Sequence, residues 1–117
     1  MQDLKGRTKK FALDVIRFCS SLPKKEEFFI ISKQLIKCST SVGANYRSAC
    51  RAKSNKDFIS KLSIVEEEAD ESLYWMELLE ELGLNNNDEF QRLKNESDQL
   101  VSIIVASKKT ARKKMND

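Results

Sequence analysis

Histidine is absent from this 117-residue chain, which also has one proline and only three glycines. Without histidine, the chain lacks Ser-His and Cys-His nucleophile pairs, the commonest general base and the carboxylate–histidine ligand pattern of di-iron bundles. A β-rich fold needs more turn residues than so few prolines and glycines provide. The sequence therefore predicts an all-α protein, and we expect no enzymatic activity.

Long apolar runs are missing as well. None approaches the roughly 18–20 residues of a membrane span, and Asp14 and Arg17 interrupt the apolar segment near the start. We expect no signal peptide, no membrane partner and a cytoplasmic location. The three cysteines, Cys19, Cys38 and Cys50, are widely spaced and odd in number. This pattern favours buried free thiols over disulfides or a metal site, and we expect no cofactor.

Helical periodicity predicts a single domain over residues 1–117, built from four helices. The expected helices span about 4–21, 24–53, 55–82 and 87–112, with a short basic tail at 113–117. Ser54 with Asp57 has the spacing of a capping box, Gly83 suits a helix end, and Asn86 suits the start of the last helix. Short connections predict an antiparallel up-down-up-down four-helix bundle.

Each predicted helix carries an apolar stripe at spacings of three and four residues, which marks the face that packs into a core. The expected core positions are Leu4, Thr8, Phe11, Val15, Phe18, Leu22, Ile31, Leu35, Cys38, Val42, Asn45, Ala49, Ala52, Leu62, Val65, Ala69, Ser72, Met76, Leu79, Phe90, Leu93, Ser97, Leu100, Ile104, Ser107 and Ala111.

The third helix carries a second stripe beside the first, running through Ile64, Glu68, Glu71, Trp75, Leu78 and Leu82. A monomeric bundle needs one buried stripe per helix, so the second favours a contact between subunits placed side by side in a ring. The alternative is that the stripe belongs to one broad core face. The oligomer interface is expected at Ile64, Trp75, Leu78 and Leu82, together with Tyr46.

The segment 38–50, "CSTSVGANYRSAC", has almost no bulky side chains. It is not a Walker-type phosphate loop, because Gly43 stands alone and no strand precedes it. The helical stripe continues through it, which predicts a thin helix that approaches its neighbours closely. The hydroxyls of Ser39, Thr40 and Ser41 could then hold carboxylates such as Glu66 and Glu67. The alternative is a solvated acidic face beside a thin helix.

Residues 40–84 also resemble a known family. The matching motifs are "TSVGANY" at 40–46, "SNKDFISKL" at 54–62, the acidic run 67–71 and "YWMELLEELGL" at 74–84. They are similar to the four-helix-bundle family named for proteins encoded within intervening sequences of 23S rRNA genes. The chain departs from the family at Arg47 and Ser48, where many members have a Glu-Ala or Glu-Gly pair.

This resemblance implies a left-handed four-helix bundle that assembles into a ring, usually a homopentamer, with no known enzymatic activity. A similar accessory protein of diversity-generating retroelements binds nucleic acid and a reverse transcriptase. The resemblance therefore implies self-association, with RNA, DNA, a reverse transcriptase or another protein as possible partners.

The small net charge of +3 conceals a strong segregation of charge along the chain. Residues 1–56 have 13 Lys and Arg against 4 Asp and Glu, a net +9. Residues 57–100 have 3 against 13, a net −10, and residues 101–117 have 5 against 1, a net +4. In an up-down bundle the start of the first helix, the middle hairpin and the end of the last helix share one end, which should be basic.

Repeated cations at one end of a ring favour a polyanion, because binding to phosphates releases counterions. We expect that end to bind RNA or DNA non-specifically, without a stacking platform for bases. Lys5, Arg7 and Lys114 lie there too, opposed only by Asp3, Asp57 and Asp117. The expected nucleic-acid-binding residues are Lys9, Lys10, Arg47, Arg51, Lys53, Lys56, Lys61, Lys108, Lys109, Arg112 and Lys113.

Three alternatives remain open. Terminal lysines could merely complement the dipoles of helix ends. The protein could be a structural or adaptor ring that holds a protein partner without nucleic acid. Glu67 and Glu71, one helical turn apart, could bind a metal, but the sequence shows no second set of ligands, and surface carboxylates at this spacing are usually solvated or paired.

Overall fold

The computed structural model describes residues 3–116, with only the backbone described at Asn85 and Asn116. This part of the chain has no β-strand and forms the α-helices α1 (Leu4–Cys19), α2 (Glu26–Ala49), α3 (Asn55–Glu81) and α4 (Asp88–Asn116), with a 3-10 turn at Leu84–Asn86. The prediction of an all-α four-helix fold is confirmed. The molecule is a rod of 52 × 21 × 21 Å. No helix in the described part is long and apolar enough to cross a membrane.

Each helix packs against the next, and α1 also packs against α4, which closes the bundle. Two polar contacts show how α3 lies against α4. Asn55 Nδ2 donates to the Ala111 carbonyl over 2.6 Å, and Lys94 Nζ lies 2.9 Å from Glu80 Oε1. Early residues of α3 thus meet late residues of α4, so these two helices run in opposite directions.

The helix ends follow the local capping chemistry. Ser54 Oγ accepts a hydrogen bond from the Asp57 amide over 3.0 Å, as expected for the start of α3. The cap of α4 is one residue later than predicted, because Asn87 Oδ1, not Asn86, accepts from the Phe90 amide. Gly83 follows the last turn of α3 and has a φ of 112°, a conformation that L side chains rarely adopt.

Four bounds differ from the predictions by two residues or more at a helix end, and one of them is the start of α2, which lies two residues later than expected, at Glu26. The first two helices stop earlier than expected, at Cys19 and Ala49. The predicted basic tail is not a tail, because α4 continues as helix to Asn116. Unbroken helix-forming residues after Ala111 allow this extension. The predicted acid at the basic end, Asp117, lies outside the described residues, as do Met1 and Gln2.

The predicted stripes form the core, which has two regions. We call the first the aromatic half; its buried side chains are Phe11, Val15, Phe18, Phe28, Ile31, Leu35, Met76, Leu79, Phe90, Leu93 and Leu100. We call the second the thin half; its buried side chains are Val42, Ala49, Leu62, Val65, Ala69 and Ile104. The aromatic half adjoins the loops at residues 20–25 and 82–87, whereas the thin half adjoins the hairpin at residues 50–54.

The three cysteines are free thiols, as predicted, but they differ in burial. Cys38 is buried and Cys19 is half-buried, and burial raises the pKa of both thiols. The prediction of burial was wrong for Cys50, which is exposed. Cys50 is the cap residue after α2, where the chain leaves the bundle to form the hairpin.

Candidate nucleic-acid interface

The start of α1, the α2–α3 hairpin and the end of α4, which were expected at one end of the bundle, come together at the thin half. A side-chain carbon added at Gly43 of α2 would lie 3.4 Å from the Thr8 carbonyl of α1, so these helices approach closely near the start of α1. The hydrogen bond between Asn55 and Ala111 places the last part of α4 beside the start of α3. The beginning of α1 and the end of α4 therefore both lie near the α2–α3 hairpin.

A groove of about 600 Å³ runs between α1 and α2 at this end. Its small lining residues are Gly6, Ala12, Gly43 and Ala44, beside Thr40. Its charged lining residues are Lys5, Lys9, Arg47 and Arg51, with Asp3 as the single acid. The Asp3 carboxylate accepts the Gly6 amide over 3.0 Å as the cap of α1. Four cations therefore flank a shallow surface of small residues.

Most of the other predicted cations are exposed at the same end of the bundle as the groove. Lys53 and Lys56 extend from the hairpin and the start of α3, and Lys109, Arg112 and Lys113 extend from the end of α4. Together with Arg47 and Arg51 they make this end of the molecule basic. We call the groove and these surrounding cations the basic end.

Three predicted cations are engaged with carboxylates instead. Lys61 lies 3.2 Å from Asp57, one turn earlier on the same helix. Lys108 of α4 lies 3.0 Å from Glu66 of α3, and only 12% of its side chain is exposed. These pairs reduce the charge available to a polyanion, and burial makes Lys108 the least accessible of the set.

Lys10 is the third, and it lies towards the middle of the rod. It binds Asp14 over 2.6 Å, and Asp14 also accepts a hydrogen bond from Arg92 over 3.1 Å. The Lys10 hydrogen bond lowers the pKa of Asp14, and the Arg92 contact adds to this effect against the opposing effect of burial. Lys10 therefore belongs to a structural network between α1 and α4.

The hydroxyl-rich face of α2 does not hold carboxylates from α3. Thr40 Oγ1 donates to the Ile36 carbonyl over 2.7 Å, and Ser39 Oγ donates to the same carbonyl over 3.3 Å. Glu66 instead pairs with Lys108 of α4. The prediction of hydroxyl-bound carboxylates at Glu66 was therefore wrong, because short hydroxyl side chains on a helix bond most readily to their own preceding turn.

Sequence reasoning missed a second groove at the basic end, between α3 and α4. It measures about 510 Å³ and is lined by Asn55, Phe58, Ile103, Ala106, Ser107, Thr110, Ala111 and Lys114. Phe58 is half-buried and packs against the thin half of the core. An aromatic side chain thus does lie beside the basic end. The small residues of α4 at positions 106, 107 and 111 were the signal that helix neighbours leave a hollow there.

The predicted interface residues fall into two groups. Ile64 and Leu82 are 40% and 50% exposed. Trp75 and Leu78 are half-buried against the aromatic half, and Tyr46 is half-buried against the thin half. In the second stripe of α3, Trp75 and Leu78 therefore pack against the core, as the broad-core alternative expected, whereas Ile64 and Leu82 are at the surface, where the contact between subunits stays a prediction.

Comparison with known proteins shows which family the chain belongs to. A family model described as 23S rRNA-intervening sequence protein matches residues 3–106. The chain belongs to this family. No curated protein matches it. A similar solved structure is that of a protein with unknown function from the S23 ribosomal protein family of Bacteroides thetaiotaomicron. The two share 32% identity and a TM-score of 0.81, over 90% of this chain and 97% of that chain.

As a 23S rRNA-intervening sequence protein, the chain carries a lysine- and arginine-rich hairpin within the residues that match the family. Arg47, where the resemblance suggested a departure from an acid, lines the α1–α2 groove beside Arg51. It therefore contributes to the positive charge of the basic end.

Proposed function

We propose that this 23S rRNA-intervening sequence protein is a non-enzymatic, self-associating bundle that binds RNA or DNA non-specifically through its basic end. The single observation that supports this most is the α1–α2 groove, in which Lys5, Lys9, Arg47 and Arg51 surround a small-residue surface. Small residues let a phosphate backbone approach the helices, and the flanking cations replace its counterions.

The uneven distribution of charge supports binding of a polyanion at one end of the bundle only. The cations at the start of α1, in the α2–α3 hairpin and at the end of α4 lie at the basic end, whereas Glu77, Glu81, Asp88 and Glu89 are exposed at the other end. A polyanion would be attracted to one end and repelled by the other. Binding of this kind depends on phosphate charge and falls steeply with salt.

The groove can be tested by reversing its charge. The double variant Lys9→Glu/Arg47→Glu removes two groove cations, and Lys24→Glu/Lys33→Glu makes the same change in net charge at exposed positions towards the other end. Binding of a labelled oligonucleotide is measured by fluorescence anisotropy over a series of salt concentrations. For duplex DNA, losing two phosphate contacts should reduce the slope of log affinity against log salt by about 1.8.

The groove variant should bind weakly at every salt concentration, while the control variant should bind nearly as the parent does. Equal losses in both variants would show that only net charge matters. No binding by the parent at low salt would reject the nucleic-acid proposal. A protein that instead co-purifies with a protein partner would support the adaptor alternative.

The self-association in this proposal rests on apolar side chains at the surface. Phe29 and Ile30 at the start of α2 are 61% and 55% exposed, and Leu82 at the end of α3 lies at the same end of the bundle. A second copy of the chain is the partner we propose for these side chains, with the homopentameric ring as the expected assembly. Light scattering on the same samples measures the mass as a multiple of the 13.5 kDa protomer.

A further inference from the structure

One cluster of potential metal ligands lies outside the basic end. It joins Cys38 of α2 to Glu68 and Glu71 of α3, whose ligand atoms all lie within 4.8 Å of one another. The spacing of three residues puts both carboxylates on the side of α3 that faces α2. Cys38 is only 2% exposed, Glu68 is half-buried and Glu71 is exposed. The site is therefore a buried thiol with two carboxylates above it.

The indole of Trp75 provides a second, independent observation at this place. Its Nε1 atom is buried and has no hydrogen-bond partner among the described residues. It lies near the Cys38 thiol, where its N–H favours the thiolate, but the geometry falls short of a hydrogen bond. Buried N–H groups are rarely left unsatisfied, and a thiolate is a far better acceptor than a thiol. The buried donor is thus placed to bond the Cys38 sulfur, and it would bond a negatively charged sulfur more strongly than a thiol.

Burial, with the charges of Glu71 and Glu68 adding to its effect, raises the pKa of the Cys38 thiol to about 12. Burial also raises the pKa of Glu68, with Glu71 adding to the effect and Lys37 opposing it. A bound divalent cation would reverse each of these effects, since it stabilises all three anionic groups at once.

We propose that Cys38, Glu68 and Glu71 bind a divalent transition metal of the zinc type and thereby tie α2 to α3. A thiolate ligand favours zinc or cobalt over magnesium or calcium, which prefer oxygen alone. Tetrahedral zinc with its usual bonds to sulfur and oxygen places its ligand atoms about 3.5 Å apart. The flexible glutamate side chains would therefore move towards the Cys38 sulfur by about 1 Å. Water fills the fourth position, and the Trp75 N–H donates to the coordinated sulfur.

Cobalt(II) gives a direct test, because a thiolate bound to it produces a charge-transfer band in the near ultraviolet. Titrating the full-length protein with cobalt should produce this band with one equivalent bound, release a proton from the thiol and lose the band on adding zinc. Trp75 is the only tryptophan in the chain, so its fluorescence should be quenched in the same titration. Glu68→Gln and Glu71→Gln should each weaken binding about tenfold or more.

Two matched cysteine variants complete the test. Cys38→Ser should abolish the band, whereas Cys50→Ser at the exposed cysteine should leave it unchanged. Glu71→Gln serves as the control for misfolding, because this side chain is exposed and its replacement leaves the core intact. A parent protein without the band, or a band that survives Cys38→Ser, would overturn the proposal. Neither result bears on nucleic-acid binding, which uses other residues.

Discussion

The aromatic half and the thin half of the bundle use the same four helices in different ways. In the aromatic half, large side chains from all four helices fill the centre, and the rings of Phe18 and Phe90 lie 5.8 Å apart. In the thin half, Val42, Ala49 and Ala69 occupy the equivalent positions, and α1 comes close to α2 at Gly43. The first region has the larger apolar side chains, and the second adjoins the groove that is lined by four cations.

The difference indicates a division between stability and recognition. Burial of large apolar side chains stabilises the fold in proportion to the area removed from water. Small side chains contribute less of this area, but they let helices pack closely and leave shallow hollows between the ridges at the surface. The basic end thus lies where the core contributes least, and substitutions in the two halves should differ in both size and kind.

The largest effect is expected in the aromatic half. Phe90→Ala removes a fully buried ring and its contact with Phe18, which should lower the free energy of unfolding by about 4 kcal/mol. Ile104→Val in the thin half, also fully buried, should lower it by only about 1 kcal/mol. Urea denaturation monitored by circular dichroism measures both. If Phe90→Ala costs no more than Ile104→Val, the two halves do not differ in the way we describe.

An intermediate effect is expected at Gly43, where the thin half is narrowest. Gly43→Ala fits, because the added carbon would be at ordinary contact distance from Thr8, and it gains up to about 1 kcal/mol of helix propensity. Gly43→Leu should overpack the boundary with α1 and cost about 2 kcal/mol. Its side chain would also fill the groove and reduce oligonucleotide binding. Equal stability and binding for the two variants would show that close approach is unimportant here.

The smallest effect is expected at Asp14, which connects α1 to α4 outside both core regions. Its pKa is lowered from the ordinary 3.8, so its stabilising contribution is complete above that pH and is lost as pH falls through the lower folded value. Asp14→Asn should cost about 1 kcal/mol at neutral pH. The difference from the parent should shrink below pH 3.8. A difference that is constant with pH would mean that the loss is not electrostatic.

The fold could be predicted from the sequence because the spacing of apolar residues along a helix indicates which of them are buried. Leu62, Val65, Ala69, Met76 and Leu79 were predicted as one stripe of the third helix, and all are fully or almost fully buried. The cap at Ser54 was also correct, since it depends on residues three apart. The start of α4 was misplaced by one residue because Asn86 and Asn87 are both suitable caps, and only the observed backbone decides between them.

The candidate sites were harder to predict, because they depend on contacts between helices. Lys108 looked available in the sequence, but Glu66 of the facing helix binds it. The sequence pointed to Glu67 and Glu71 as an acid pair without further ligands, whereas the structure brings Glu68 and Glu71 together with Cys38 of α2. In both cases the partner is 30 or more residues away, and a shift of one helical turn would remove the contact. Spacing within one helix does not determine this register.

The charge separation along the 52 Å rod also affects how copies can assemble. Protomers standing side by side in the same orientation place like charges next to each other at both ends, so electrostatics opposes such a ring and apolar contacts must hold it together. Screening weakens that repulsion, and it equally weakens attraction to phosphates. Added salt should therefore have opposite effects on the two proposed processes. It should favour assembly of the ring and weaken binding of a polyanion.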